Sequence, residues 1–525
     1  MFRYILLNFS ADLLTDITIS TGADAGGSLA GVFTPSAGTS TINNVTLQNQ
    51  LGFANVTIST VSAFPNQGDI TVSAPISWTN NNFLTLNANN NITINKNITT
   101  QGGNITLNAD SDTLNGGGLI IVGSMINTNG GNFLGNGQGN ATLGNGINIQ
   151  GSTINAGGGK IDLNGSAGNT ASNTGIYILG ATTTLKTTGS GNITLNGTSG
   201  SSLNSSGIVL RGPTISSVPG DITLTGSGNG TGEGIYLFSS AVVESIGIGS
   251  ITMTGNGGNG VLGSNEGIVI AGASKVSSAN GAVTLTGNGK VTVNGSNGID
   301  INASSTVEST AAGNVTLNGI AGNGIFGNRG ISIDSSIVRS AGGNVSLIGN
   351  GAGTATLNTG VRITNSTVES TAGNGTIAIT GTGGNGTSGN SGISISPTGI
   401  VQSQNGDIAL TGTGKGTVDN NLGISMSGVV KSQNNGNVTL TGFGGKGNDG
   451  NQGISLGAGT VSSFSGNVSL TGTGGGTGIV NEGIYSRFHV YEVHPDCSSI
   501  AVGTRHCRVP TSVVYLTNLK SAVCR

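Results

Sequence analysis

One seven-residue phrase, Gly-(Asn/Asp)-(Ile/Val)-(Thr/Ser)-Leu-(Thr/Asn)-Gly, dominates this chain. It recurs with variants from Gly159, Gly191, Gly220, Gly249, Gly281, Gly313, Gly343, Gly375, Gly406, Gly436 and Gly466, with starts 29 to 32 residues apart. Weaker copies begin at Gly103 and Gly131, each 28 residues before the next. Self-similarity at such a period means a stack of like units rather than one folded globule.

Two further phrases complete each unit. The second is Gly-Ile-x-Ile or a close variant, as in Gly207-Ile208-Val209-Leu210, Gly267-Ile268-Val269-Ile270, Gly330-Ile331-Ser332-Ile333 and Gly392-Ile393-Ser394-Ile395. The third closes the unit, as in Thr306-Val307-Glu308-Ser309 and Thr367-Val368-Glu369-Ser370. All three alternate apolar with polar residues, the period of a strand with one buried face. Gly, Asn and Ser between them are turn chemistry. Helical periodicity is absent.

Three short strands in about 30 residues cannot bury their apolar faces alone. Stacked on the next unit, each strand pairs with its own copy, and the inward aliphatics join into one interior. The fold expected is an all-β parallel β-helix, a solenoid with three short strands per coil. A sandwich of repeated hairpins is the competing arrangement. About fourteen coils at roughly 4.8 Å make a rod on the order of 65 Å long. About five aliphatics per coil point inward, for example Val315, Leu317, Ile331, Ile333 and Val338.

Two columns of side chains follow from this register. Asn lies two residues before the Gly-Ile-x-Ile glycine at Asn173, Asn265, Asn328, Asn358, Asn390, Asn421, Asn451 and Asn481, where stacked amides can bond one another along the rod. Glu308, Arg339, Glu369, Gln402 and Lys431 share an outward position on the third strand. Exposed opposite charges one coil apart contribute at most about 1 kcal/mol. Both columns are read as structural.

Composition narrows the function. Glycine contributes 98 of 525 residues without a three-residue period, which excludes a collagen helix. Hydrophobic residues make up 34%, too many for a charged disordered tail. A net charge of −3 with only 18 Lys and Arg gives no footprint for nucleic acid or anionic lipid. No apolar run approaches the roughly 20 residues of a membrane span.

Catalytic signals are sparse. Enzymes built on β-helices carry outward carboxylates clustered on neighbouring coils. Here Asp221 and Asp407 share an outward position several coils apart, Asp300 and Asp334 occupy different positions in their units, and the repeats contain no histidine. Glycine-rich runs such as Gly255-Asn256-Gly257-Gly258-Asn259-Gly260 lack the Lys and strand–helix setting of a phosphate loop. Gly447-Asn448-Asp449-Gly450 is a single copy, whereas calcium-binding nonapeptides need an Asp in each unit. No catalytic, cofactor-binding or metal-ligating residue is singled out, and the binding residues are unknown at this level. Paired threonines at Thr223 and Thr225, Thr252 and Thr254, Thr284 and Thr286, and Thr439 and Thr441 are similar to ice-binding arrays. Threonine is favoured on exposed strands in any case, and Asn318, Ile348, Ala378 and Ala409 break the column.

Residues 68–110 go beyond periodicity. They read Gly68-Asp69-Ile70-Thr71-Val72-Ser73-Ala74-Pro75-Ile76-Ser77-Trp78, then Leu84-Thr85-Leu86-Asn87-Ala88-Asn89-Asn90-Asn91-Ile92-Thr93-Ile94-Asn95, then Gly103-Asn104-Ile105-Thr106-Leu107-Asn108-Ala109-Asp110. This stretch resembles the filamentous-haemagglutinin-like and high-molecular-weight adhesin exoproteins of bacterial two-partner secretion, and the step of 21 residues from Leu84 to Ile105 is close to that family's coil. The later repeats resemble the Gly/Asn-rich arrays of large bacterial surface proteins more loosely. The resemblance implies a right-handed β-helix and passage through an outer-membrane transporter barrel. It also implies a secreted or cell-surface location and attachment to a glycan or protein receptor whose identity exposed Thr, Asn and Ser do not encode. Some adhesins of this family are glycosylated at Asn-x-Thr/Ser triplets such as Asn104-Ile105-Thr106. The alternative is a surface-layer or fibre component without a receptor.

The expected organisation is residues 1–67 as irregular strands or the start of the solenoid, 68–158 as haemagglutinin-like coils, 159–486 as the longer repeats, and 487–525 as a non-repeat tail. Met1-Phe2-Arg3-Tyr4-Ile5-Leu6-Leu7-Asn8 makes no convincing signal peptide, so the native N-terminus is expected upstream and the chain to be a fragment. Every cysteine (Cys497, Cys507, Cys524) and histidine (His489, His494, His506) lies in the tail. The abrupt change of composition there fits a frameshift product or a cap. The adjacency of His506 and Cys507 fits zinc-ligand spacing poorly.

Overall fold

A computed structural model of the chain describes residues 16–60, 68–111, 116–140, 144–169, 172–260, 265–290 and 295–486, with short strands at Glu492–Val493, Ile500–Ala501 and Thr511–Leu516. The cysteines and histidines of the tail lie outside these residues. The fold is a parallel β-solenoid of about 14 turns with three sheets per coil.

The three phrases supply the three sheets. Gly-Ile-x-Ile strands form the first, the closing strands the second, and the seven-residue phrase the third. Neighbours are parallel and in register, as in Ile208↔Ile235, Val307↔Val338 and Ile222↔Ile251. Identical residues therefore stack coil upon coil. Val315, Leu317, Ile331, Ile333 and Val338 are all 0% exposed, within a single apolar core that runs the length of the solenoid.

Glycine content follows from close approach at the corner between the third and first sheets. A Cβ on Gly226 would collide with the carbonyl of Gly234; at the corner between the second and third sheets, one on Gly191 would collide with the carbonyl of Gly159 on the preceding coil. The Asn or Asp after the phrase glycine has its own task. Its side-chain oxygen accepts the backbone N–H of the next coil, as with Asn192 from Asp221 (2.9 Å) and Asn344 from Thr376 (2.9 Å).

Asparagine also forms a buried ladder before the first sheet. The Oδ1 atoms of Asn358, Asn390, Asn421 and Asn451 each accept the backbone N–H of the preceding rung, at 3.0 to 3.1 Å. These amides are 0% exposed, so the turn column expected from sequence is an internal spine. A second amide ladder, not anticipated, runs outside the third sheet through Asn87, Asn108, Asn136, Asn164 and Asn196.

The absence of helix is corrected at one place. Asn44–Leu51 is helical, capped by the Asn43 side chain, which accepts from Val45 N (2.9 Å). The helix takes the place of the second sheet in the first coil, between strands Thr39–Asn43 and Val56–Ser59. Leu47 and Leu51 enter the core, and Gln48 accepts from the edge N–H of Ser77 at 3.0 Å. Next to it, Gly27–Ala30 and Val32–Pro35 form an antiparallel hairpin. At the other end, Thr511–Leu516 pairs antiparallel with Val468–Thr473.

Candidate functional site

Most outward positions carry Thr, Ser or Asn stacked on like residues of the next coil. The first sheet departs from this over the coils from Ser206 to Arg362. Its outward residues run Tyr177, Val209, Tyr236, Val269, Asp300, Ser332 and Arg362, stacked in register. The residue just before each strand's glycine forms a parallel column of Ser206, Glu233, Glu266, Asn297 and Arg329, joined by backbone bonds such as Gly234 N to Glu266 O at 3.0 Å.

Carboxyls thus meet on three successive coils, spanning about 10 Å along the rod. Glu266 is buried, and its Oε1 accepts from Asn297 Nδ2 at 2.9 Å. Burial first, then the charges of Asp300 and Glu233, push its carboxyl well above the usual carboxylate range. Burial also raises Glu233, against the hydrogen bond that Ser206 Oγ donates to its Oε2 at 2.8 Å. Asp300 is raised by burial, against hydrogen bonds from Asn302 and Ser332. On the next coils Arg329 and Arg362 supply positive charge, so the patch is acidic at one end and basic at the other. The Nε of Arg329 is buried without a hydrogen-bond partner among the described residues.

Beside the acidic end stand two aromatic rings. Tyr236 and Phe238 stack with centroids 4.5 Å apart, and the Arg211 guanidinium lies 5.6 Å from the Phe238 centroid. Burial, then Glu233 and Glu266, raises the Tyr236 phenol, which keeps its proton and its capacity to donate. A cavity of about 380 Å³ opens here, lined by Val209, Ser206, Thr231, Glu233, Tyr236 and Phe238 among others. Arranged this way, the site offers a ring face of Tyr236, backed by Phe238, beside hydroxyls and a half-buried carboxyl.

Scanned against protein-family profiles and curated sequences, the chain has no match. The class that the fold defines is the parallel β-solenoid.

The residues weighed from sequence fall elsewhere. Asp221 and Asp407 are occupied as turn acceptors, from Ser250 N (2.8 Å) and Asn437 N (2.7 Å). Asp300 and Asp334 do lie at different strand positions, with Asp300 paired to Ser332 and Asp334 to Thr364. The scatter of carboxylates is corrected, since Glu233 and Glu266 come together with Asp300. Their signal was the residue before each Gly-Ile-x-Ile glycine. The third-strand column is likewise corrected: Glu308 is 1% exposed rather than outward in solvent. It pairs with Arg339 (2.7 Å) and with Lys275 (2.8 Å), while Gln402 donates to Glu369 at 2.8 Å. The threonine columns stack through Thr223↔Thr252 and Thr252↔Thr284, as the spacing required.

Proposed function

We propose that this chain is a non-enzymatic, adhesin-like exoprotein of the bacterial surface, exported through an outer-membrane barrel and acting as a rigid multivalent rod for attachment. The observation that carries this reading is the unbroken stack on one core. A chain with no break in its core holds its lateral columns at fixed spacing, and many weak contacts to a cell surface then sum through avidity. The resemblance of residues 68–110 to two-partner secretion exoproteins supports the same reading. The receptor is a glycan or a protein of another cell or surface.

The test is adhesion of beads bearing the purified chain to a panel of bacterial and epithelial cells. Attachment is expected to be saturable and to rise more steeply than linearly with bead density. Rods that associate only with one another, and with no cell, would favour the fibre alternative. Turnover of a polysaccharide panel would contradict the non-enzymatic reading.

A further inference from the structure

We infer that the cavity over Val209 is a subsite for one residue of an uncharged glycan. This rests on the attachment reading and names the chemistry of one contact point. Two features combine there, a pairing not repeated among the other described residues. Tyr236 and Phe238 stack on each other and Arg211 of the neighbouring coil lies over Phe238, which leaves the outer face of Tyr236 as the apolar platform. Sugar rings present a face of C–H groups that packs on such a platform through dispersion and the ring quadrupole. Around it stand the Glu233 carboxyl and the hydroxyls of Ser206 and Thr231. The first hydroxyl donates to Glu233 Oε2 (2.8 Å) and the second accepts from Asn204 N (2.7 Å), each with lone pairs to offer a ring hydroxyl.

The volume of about 380 Å³ lies in the range of small-ligand pockets. Val209 makes the opening. It stands between Tyr177 and Tyr236 in the stacked column, and its short side chain leaves a gap beside the larger Tyr236. The charges select among sugars. Glu233 lines the cavity, and Glu266 and Asp300 follow on the next two coils, so uronic and sialic acids are disfavoured. Glu233 is half-buried; Ser206 donates to its Oε2 and its own backbone also bonds the carboxyl, and a carboxylate with about four lone-pair sites keeps capacity for a ring hydroxyl.

The experiment is saturation-transfer NMR of the full chain with the methyl glycosides of glucose, galactose and N-acetylglucosamine, and with sodium glucuronate. Transfer to at least one uncharged glycoside and none to glucuronate is expected. Two variants carry the test, Tyr236→Val and Glu233→Ser. Each installs the residue that the adjacent coil already holds in the same column, Val209 or Ser206, so the coil geometry is kept. Each is expected to weaken the glycoside about tenfold, the loss of one good hydrogen bond or one stacking face. No transfer to any uncharged glycoside, or transfer that survives either substitution, overturns the inference. Cell adhesion by beads that bind none of these glycosides would remove this subsite and leave the attachment reading standing. Glycoside binding without cell adhesion would do the reverse.

Discussion

Glu266 and Glu308 are both buried carboxyls, and their surroundings drive them in opposite directions. Burial and like charge raise Glu266, so folding favours its proton. Its penalty on stability is absent below the ordinary value of 4.5 and grows as pH rises through the folded value. Burial would raise Glu308 too, but hydrogen bonds from Lys275 and Arg339 outweigh it and hold the carboxyl below its ordinary range. Its contribution is full above 4.5 and is lost as pH falls through the folded value. Thermal melts at pH 3 to 8 therefore separate two variants. Glu266→Gln is expected to melt above the parent at pH 7 and level with it at pH 3. Glu308→Gln is expected to lose about 1–3 kcal/mol at pH 7, with a smaller loss at pH 3. The pairing of Glu308 with Arg339 was legible from their spacing, whereas its burial was not. Lys275 sits two residues before Ser277, the aligned position, and only the stacked strands bring it within 2.8 Å.

At the scale of the strand and its corner, the repeated phrase specifies backbone contacts as much as a hydrophobic core. The Asn390 side chain accepts from buried Asn358 N at 3.1 Å. Asn390→Ala would leave that donor buried without an acceptor, at a cost of about 1–3 kcal/mol. Asn437 makes the same kind of bond to Asn467 N in the open, at 2.9 Å. There water substitutes, and Asn437→Ala is expected to cost less than about 1 kcal/mol. Urea unfolding of the two variants side by side checks the contrast. Gly226→Ala is expected to be worse than either, because its Cβ meets a backbone carbonyl that no rotamer change can move. The asparagine column was readable because it recurs in eight units at one offset from glycine. The reason for the glycines was not, since carbonyls from two sheets converge only after stacking. Asn44–Leu51 was illegible for another reason. Eight residues are too short to be helical by propensity, and the segment is held by Asn43 and by packing on the first strand of the second sheet.

For the molecule as a whole, the period forces the solenoid, and variation within the period creates the candidate site. First-sheet strands begin 27 to 33 residues apart between Ile176 and Ile484, because the loops that precede them differ in length. Fixed spacing therefore misaligns Glu233, Glu266 and Asp300, which explains why their cluster stayed hidden while the strands were plain. The core continues through all these coils, so the patch is held on a scaffold with no break. What tests the account most directly is the distance between coils in one column. Spin labels at Thr194 and Ser346, and at Thr194 and Thr439, in a chain whose three cysteines are changed to serine, span five and eight coils of the third sheet. Electron–electron dipolar spectroscopy is expected to give about 24 Å and about 38 Å, growing by roughly 4.8 Å per coil. Distances that fail to grow with coil number, as in a sandwich of repeated hairpins, would contradict the stacked solenoid and the rod built on it.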